Sequence, residues 1–205
     1  MTAPKDPKAM LRTEYLRRRN ALPDDVRRAA DARIRARLAA LPELQAAPAV
    51  AAYYPTVGEP DLRPLLADLL AAGKTCCFPQ GDADGTYRLV PLSSASGAPF
   101  EARFQPGRFG IPEPRADQAL PPDAHPLWLI PGVAFDPQGH RLGRGGGVYD
   151  RLLRDATGLR IAVAYETQIA SAVPVGPDDQ PVHRIVTEAD IHRCPQPSPE
   201  RKTIP

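Results

Sequence analysis

Leu127-Trp-Leu-Ile-Pro-Gly-Val-Ala-Phe-Asp136-Pro-Gln-Gly-His-Arg141-Leu-Gly143-Arg144-Gly145-Gly146-Gly147-Val148-Tyr149-Asp150-Arg151 runs from an unbroken apolar segment through a glycine-rich loop into a helical pattern. Four consecutive apolar residues, Leu127 to Ile130, bounded by prolines, read as a strand buried on both faces, as in a sheet covered on both sides. Val148 to Thr157 reads as a helix and Arg160 to Ala164 as the next strand. Strand, helix and strand in that order form the βαβ unit of a parallel sheet, with a right-handed crossover.

Upstream the pattern repeats. Pro48 to Tyr54 is a candidate strand, and Asp61 to Ala72 carries leucines at 62, 65, 66, 69 and 70 before stopping at Gly73. Thr75 to Phe78 follows as a strand, which completes another βαβ unit. Residues 79 to 126 are rich in Pro, Gly, Ser and Ala, with one strand expected at Tyr87 to Val90; they are expected to pack over the sheet edge and form a wall of a site. Before the first strand, Lys8 to Asn20 places Leu11, Tyr15 and Leu16 at helical spacing. Pro23-Asp24-Asp25 then opens a second helix with Val26, Ala30, Ile34, Leu38 and Leu41 on one face. The expected architecture is a three-layer α/β/α domain with a mainly parallel sheet, preceded by an N-terminal helical pair. Residues 1 to 190 make one domain, and the proline-bearing segment 191 to 205 is expected to be a disordered tail.

Lys plus Arg number 26 against 24 Asp plus Glu, so no global field calls for nucleic acid or an acidic membrane. The run Arg17 to Arg19 reads as a solvated face, because acids intersperse it and no aromatic stacking series accompanies it. No stretch approaches the ~18 apolar residues of a membrane span. The three cysteines, Cys76, Cys77 and Cys194, form neither a disulfide framework nor a metal-ligand spacing. A cytoplasmic protein follows, expected to be a monomer with no nucleic-acid or membrane partner. His125, His140, His183 and His192 are scattered and read as structural or surface groups.

The loop from Arg141 to Gly147 carries the chemistry. Its glycines at 143, 145, 146 and 147 can leave N–H groups uncovered at the positive end of the helix that follows, which suits phosphate oxygens. Arg141 and Arg144 add charge-assisted donors, and Asp150 is an oxygen ligand placed for a magnesium ion carried by those phosphates. The string fits neither the P-loop nor the dinucleotide fingerprint: it lacks Gly-Lys-Ser/Thr, and Val148 takes the third glycine position. A flexible turn with a surface arginine remains the alternative on glycine content alone.

The whole string resembles the 5-formyltetrahydrofolate cyclo-ligase family, whose pattern has an apolar strand, Pro-Gly, a Phe-Asp turn, Arg-Leu-Gly, and a glycine-rich stretch ending in Tyr-Asp. The likeness extends to Lys8-Ala-Met-Leu-Arg12, Tyr53-Tyr-Pro-Thr-Val-Gly-Glu59 and Phe109-Gly-Ile-Pro-Glu-Pro114. It continues through Val173-Pro-Val175, Asp179 and Ile185-Val-Thr-Glu188. The resemblance implies closure of 5-formyltetrahydrofolate to 5,10-methenyltetrahydrofolate with ATP converted to ADP and phosphate, and ATP and Mg2+ as cofactors. It implies that Lys8, Arg12, Arg141, Leu142, Gly143, Arg144, Gly145, Gly146, Gly147, Val148 and Tyr149 hold ATP, with Arg144 and Lys8 as the catalytic charges. Tyr54, Glu59, Phe109, Arg144 and Val148 would line the folate site, and Asp150 and Asp179 would serve the metal, with Asp178 the neighbouring alternative. Two positions depart from the family pattern: Val148 stands where a tyrosine is usual, and His183 where an aspartate is usual. Competing readings are a sugar-phosphate isomerase or coenzyme A transferase on a similar frame, a folate store, and an arginine-rich nucleic-acid module.

Overall fold

A computed structural model describes residues 6–92, 98–115, 119–120, 124–177 and 179–195, without the side chain of Phe109. Helices α1 (Pro7–Asn20), α2 (Asp24–Ala39) and α3 (Pro42–Ala46) lead into β1 (Ala49–Ala51), α4 (Arg63–Ala71), β2 (Thr75–Gly81) and β3 (Tyr87–Leu92). A short ribbon, β4 (Phe104–Pro106) and β5 (Pro112–Pro114), precedes β6 (Leu127–Ile130). After it come β7 (Ala134–Phe135), β8 (Arg141–Leu142), α5 (Val148–Leu153), β9 (Arg160–Val163), β10 (Arg184–Val186) and β11 (Ile191–Arg193).

Seven strands form the central sheet in the order β11-β10-β9-β6-β1-β2-β3. The five inner strands are parallel, and β3 and β11 close the two edges antiparallel. From β1 the chain winds one way into β2 and from β6 the other way into β9 and β10, so the topological switch lies between β1 and β6. That is where the strand carboxyl ends of an open α/β sheet splay apart to leave a crevice.

The expected class is therefore observed, and the elements that hold the site follow from side-chain period. One face of the sheet, with Val50, Cys76, Leu129, Ile161 and Val163, packs against Ile34 and Leu38 of α2, Leu44 of α3 and Leu66 and Leu70 of α4. The other face, with Ala51, Trp128, Ile130, Ala162 and Ile185, packs against Leu153 of α5 and Phe135 of β7. Helix α1 begins with the Asp6 side chain accepting from the Lys8 N–H at 3.0 Å, with Pro7 in the first turn. Its apolar face, Leu11, Tyr15 and Leu16, packs on Val133, Ala134, Leu142 and Val173. This seats α1 beside the β7–β8 hairpin, with Arg12 against the loop that follows it and Lys8 beside Gly176 and Asp179.

Several expectations change. Val26 is exposed instead of facing the core, because α2 buries the stripe Ala30, Ile34 and Leu38. Helix α5 ends at Leu153, short of Thr157. Arg141 and Leu142 lie in a two-residue strand, not in the loop. Ile191–Arg193 pairs with β10, so the sheet continues past residue 190; residues 196–205 of the expected tail lie outside the described residues. The segment 79–126 supplies β3, the β4–β5 ribbon and, as expected, a wall of the cavity. Among the described residues no helix is long and apolar enough to cross a membrane.

Candidate functional site

A cavity of about 590 Å³ opens at the carboxyl ends of β1, β2 and β6. Tyr53, Tyr54, Thr56 and Glu59 enter it from the turn after β1, Phe78 and Pro79 from β2, and Pro131 and Gly132 from the end of β6. The loop Gly143 to Gly147 and the start of α5 close one side, while Arg108, Ile111, Pro112 and Glu113 of the ribbon face it from the other. The volume falls in the range of small-molecule and cofactor sites.

Glu59 is the charged centre of this cavity. Its turn folds back so that the Thr56 N–H donates to Glu59 Oε2 at 3.0 Å, which fixes one carboxylate oxygen. Arg144 Nη2 forms an ion pair with Glu59 Oε1 at 3.1 Å and donates to Thr56 Oγ1 at 2.6 Å, so the loop arginine reaches across from the other side of the switch point. Arg19 Nη1 stands 4.0 Å from the same Oε1, fully enclosed. Tyr149 contributes its ring beneath the Arg141 guanidinium at 5.5 Å, and its buried hydroxyl has no hydrogen-bond partner among the described residues. Burial, with the Glu59 charge adding to it against the opposing Arg141, pushes that phenol well above its ordinary range. Behind the cavity, Tyr54 packs edge-on to Phe104 at 4.8 Å, and Phe104 edge-on to Phe78 at 5.0 Å.

A second set of charges lies along the outer side of the same loop. Arg12 Nε donates to the Gly143 carbonyl at 2.9 Å and its guanidinium lies under Gly145, whose φ of 100° is a conformation an L side chain rarely adopts. Lys8 Nζ meets Asp179 Oδ2 at 2.7 Å, and the Gly176 N–H donates to that oxygen at 2.7 Å. Burial pushes the Asp179 carboxyl up, but the Lys8 ammonium and the Gly176 N–H outweigh it, so the carboxyl sits below its ordinary value. Asp150, half-buried in the first turn of α5, pairs with Arg141. Helix α5 starts from Gly147 with φ 65°, so its free N–H groups follow directly on the loop.

The sequence-derived residues thus divide. Tyr54, Glu59, Arg141, Gly143 to Gly147, Val148, Tyr149 and Asp150 line one cavity. Lys8, Arg12 and Asp179 gather on the outer side of the loop. Leu142 points into the core, buried against Val133, so its side chain faces neither set. The Phe109 side chain and Asp178 lie outside the described residues; the Phe109 backbone belongs to the short helical turn Arg108–Gly110 beside the cavity.

Four residues escaped the sequence reading. Arg19, read as part of a solvated face, is 2% exposed beside Glu59. Phe78 and Phe104 back the cavity without any local motif. Asp136, buried in the Phe-Asp turn, accepts from the N–H groups of Gln138, His140 and Val173 at 2.9–3.0 Å and from His140 Nδ1, tying the hairpin to the segment that carries Asp179. Only the four-residue spacing of Asp136 and His140 could have hinted at that clamp. His183, where the pattern has an aspartate, accepts the Arg160 N–H at 3.0 Å through Nδ1, so an acceptor is retained there.

The model of the 5-formyltetrahydrofolate cyclo-ligase family matches residues 4–188. The 5-formyltetrahydrofolate cyclo-ligase of Mycolicibacterium smegmatis is 32% identical over 88% of this chain and 93% of its own. That of Escherichia coli is 29% identical over 85% and 96%. The NMR structure of Aquifex aeolicus 5,10-methenyltetrahydrofolate synthetase superposes with a TM-score of 0.79 at 34% identity, covering 96% of this chain and 97% of that one. With the fold, the loop and the match over nearly the whole length in agreement, the chain belongs to the 5-formyltetrahydrofolate cyclo-ligase family.

Proposed function

We infer that this chain converts 5-formyltetrahydrofolate and ATP to 5,10-methenyltetrahydrofolate, ADP and phosphate. The observation that carries the reading is the placement of Arg144: it is held by Glu59 and Thr56 in a cavity of about 590 Å³, on a loop whose other side faces Arg12. Such a residue can serve two ligands. The folate would fill the cavity, with the Glu59 carboxylate accepting pterin N–H groups and Tyr54, Val148 and the Phe109 segment against its rings. The triphosphate would run along the loop, taking N–H groups from Gly143 to Gly147 and charge from Arg12, Arg141 and Lys8.

A formamide oxygen is a poor leaving group, which gives the reaction its order. The formyl oxygen attacks the γ-phosphorus and ADP departs, leaving a phosphorylated imidate. The neighbouring secondary amine of the folate then attacks the formyl carbon and sheds its own proton to solvent, and phosphate leaves with the former formyl oxygen. Phosphoryl transfer needs positioning and charge neutralisation more than a protein nucleophile. Arg144 and Lys8 supply the charge, and the loop N–H groups fix the phosphate.

Asp150, at the rim of the cavity where α5 meets the loop, and Asp179, beside Lys8, are hard oxygen donors, each balanced by a cation, Arg141 and Lys8 respectively. Among the described residues no three His, Cys, Asp or Glu side chains assemble into a metal cage. That donor set fits magnesium, which is ordinarily held by one or two carboxylates together with substrate phosphates. When bound, such an ion would neutralise charge on the triphosphate. Every group named comes from one chain, so a monomer suffices, and buried cysteines that form no disulfide among the described residues suit a reducing compartment such as the cytoplasm.

The test is a balance sheet of products. Purified protein with ATP, magnesium and 5-formyltetrahydrofolate should release one ADP and one phosphate per methenyl-folate formed, and neither without the folate. Folate-independent ATP hydrolysis, or no turnover by folded protein, would refute the reading.

A further inference from the structure

We propose that Arg19 is a positioning residue for Glu59: a fixed, buried counter-charge that holds this carboxylate in its folate-binding orientation when Arg144 leaves it for the reacting phosphate. The proposal rests on the cyclo-ligase reading and adds to it a residue distant in sequence from the loop and from the folate-facing turn. It starts from a local contradiction. Arg17, Arg18 and Arg19 end the same helix, and the first two are solvated and paired with Glu14, as an arginine run should be. Arg19 instead turns inward, to 2% exposure. Its Nη2 donates to the Val57 carbonyl at 3.3 Å, while Nε and Nη1 have no hydrogen-bond partner among the described residues.

A guanidinium buried with two idle donors is costly unless a charge compensates it. The nearest carboxylate is Glu59, whose Oε1 lies 4.0 Å from Nη1. The turn is built around this contact. Gly58 has φ 80°, and a Cβ there would stand 3.2 Å from Arg19 Nε and 2.7 Å from Asn20 Oδ1, so the backbone next to Glu59 rests directly on the end of α1. Glu59 Oε2 is taken by its own turn, and Oε1 is shared between two arginines of opposite character. Arg144 is half-exposed on a glycine-rich loop, whereas Arg19 is enclosed by the core. When Arg144 turns to the phosphate, Glu59 would face the folate with its only firm cationic partner removed. Arg19 is the group that remains, and a shift of about 1 Å brings it to hydrogen-bond distance.

A purely structural staple, acting through the Val57 carbonyl, makes different predictions. We would measure 5-formyltetrahydrofolate binding by calorimetry with magnesium and a non-hydrolysable ATP analogue present, so that a phosphate draws Arg144 away, and KM for each substrate in turnover, for the wild type, Arg19→Gln, Arg19→Lys, Glu59→Gln and the double variants. The expected result is that Arg19→Gln weakens folate binding about tenfold and leaves KM for ATP within about twofold, and that Arg19→Lys recovers part of the loss. In the Glu59→Gln background Arg19→Gln should add less than about twofold, because its effect passes through that carboxylate. Should Arg19→Gln fail to fold, the Arg19→Lys and Glu59→Gln pair carries the same cycle. Multiplying penalties, an equal rise in KM for ATP, or a loss of thermal stability with folate binding intact would each overturn the proposal. A wild type that binds folate without turning it over would sink the cyclo-ligase reaction while the coupling stays measurable, and one that binds no folate would overturn both.

Discussion

Replacing Gly145 by alanine should separate backbone geometry from everything else the loop does. The residue has φ 100°, and a Cβ built there meets only the Arg12 guanidinium, at 3.8–4.0 Å, which is ordinary contact. The penalty is therefore torsional, not steric. Forcing an L residue into left-handed space costs about 1–2 kcal/mol. For a chain of this size that lowers Tm by about 2–8 °C. If the loop relaxes instead, the peptide units around Gly145 turn and one phosphate-facing N–H is lost, a charge-assisted hydrogen bond of about 1.5–3 kcal/mol, or a rise of roughly ten- to a hundredfold in KM for ATP. Gly146→Ala is the internal control, because Gly146 has no positive φ and its nearest contact is a Val148 methyl at 3.8 Å. Thermal melts and substrate-varied kinetics on both variants decide the matter. Gly145→Ala with unchanged Tm and unchanged KM for ATP, or Gly146→Ala equally damaging, would refute the reasoning.

Tyr165→Phe should cost about 1.5–3 kcal/mol in urea denaturation, because it strips a 2.7 Å hydrogen bond from the buried Asp31 carboxyl that joins α2 to the sheet; a loss under 0.5 kcal/mol would contradict this. Burial, with Arg160 adding to it, lowers the His183 imidazole below its ordinary value, so the folded chain holds fewer protons there than the unfolded one. Its stability contribution should be present above about pH 6.5 and fall away as pH drops below it, and His183→Asn should remove that part of the pH dependence of Tm. Asp179 works on the acid side: its depressed carboxyl contributes stability above the unfolded aspartate value of about 3.9, lost as pH falls through the folded value. Lys8→Ala should shrink that acid-limb contribution in melts between about pH 5 and pH 2.

The parts of the fold that were legible are those in which a local pattern and tertiary burial demand the same thing. Leu127 to Ile130 is apolar at every position because β6 is covered on both faces, and the leucines of α4 recur because one helical face meets the sheet. The two-residue strands β7 and β8 have too few residues to show a period, so the hairpin that raises Arg141 to the site read as loop. Strand β11 hid in a proline-rich tail because its stability comes from pairing with β10, not from its own residues. The loop residues of the site could be read because glycine and arginine in that order have a local use. The Glu59–Arg144 contact and the inward turn of Arg19 could not, since both join distant segments that only the sheet topology brings together. Arg19 was misjudged for a physical reason: two of three adjacent arginines are solvated, and nothing within the helix distinguishes the third.

The central claim is that the loop arginine between the two charge clusters drives ATP-dependent ring closure. The measurement that tests it most directly is the growth of the methenyl-folate absorbance band on mixing protein, 5-formyltetrahydrofolate, ATP and magnesium, for the wild type and Arg144→Ala. Arg144 is half-exposed, so the variant should keep the wild-type Tm to within about 2 °C. The account predicts a band that appears only with ATP and grows about a hundred- to a thousandfold more slowly in the variant, the usual effect of removing one preorganised donor from a developing charge. A band that forms without ATP, or at the same rate in Arg144→Ala, would contradict it.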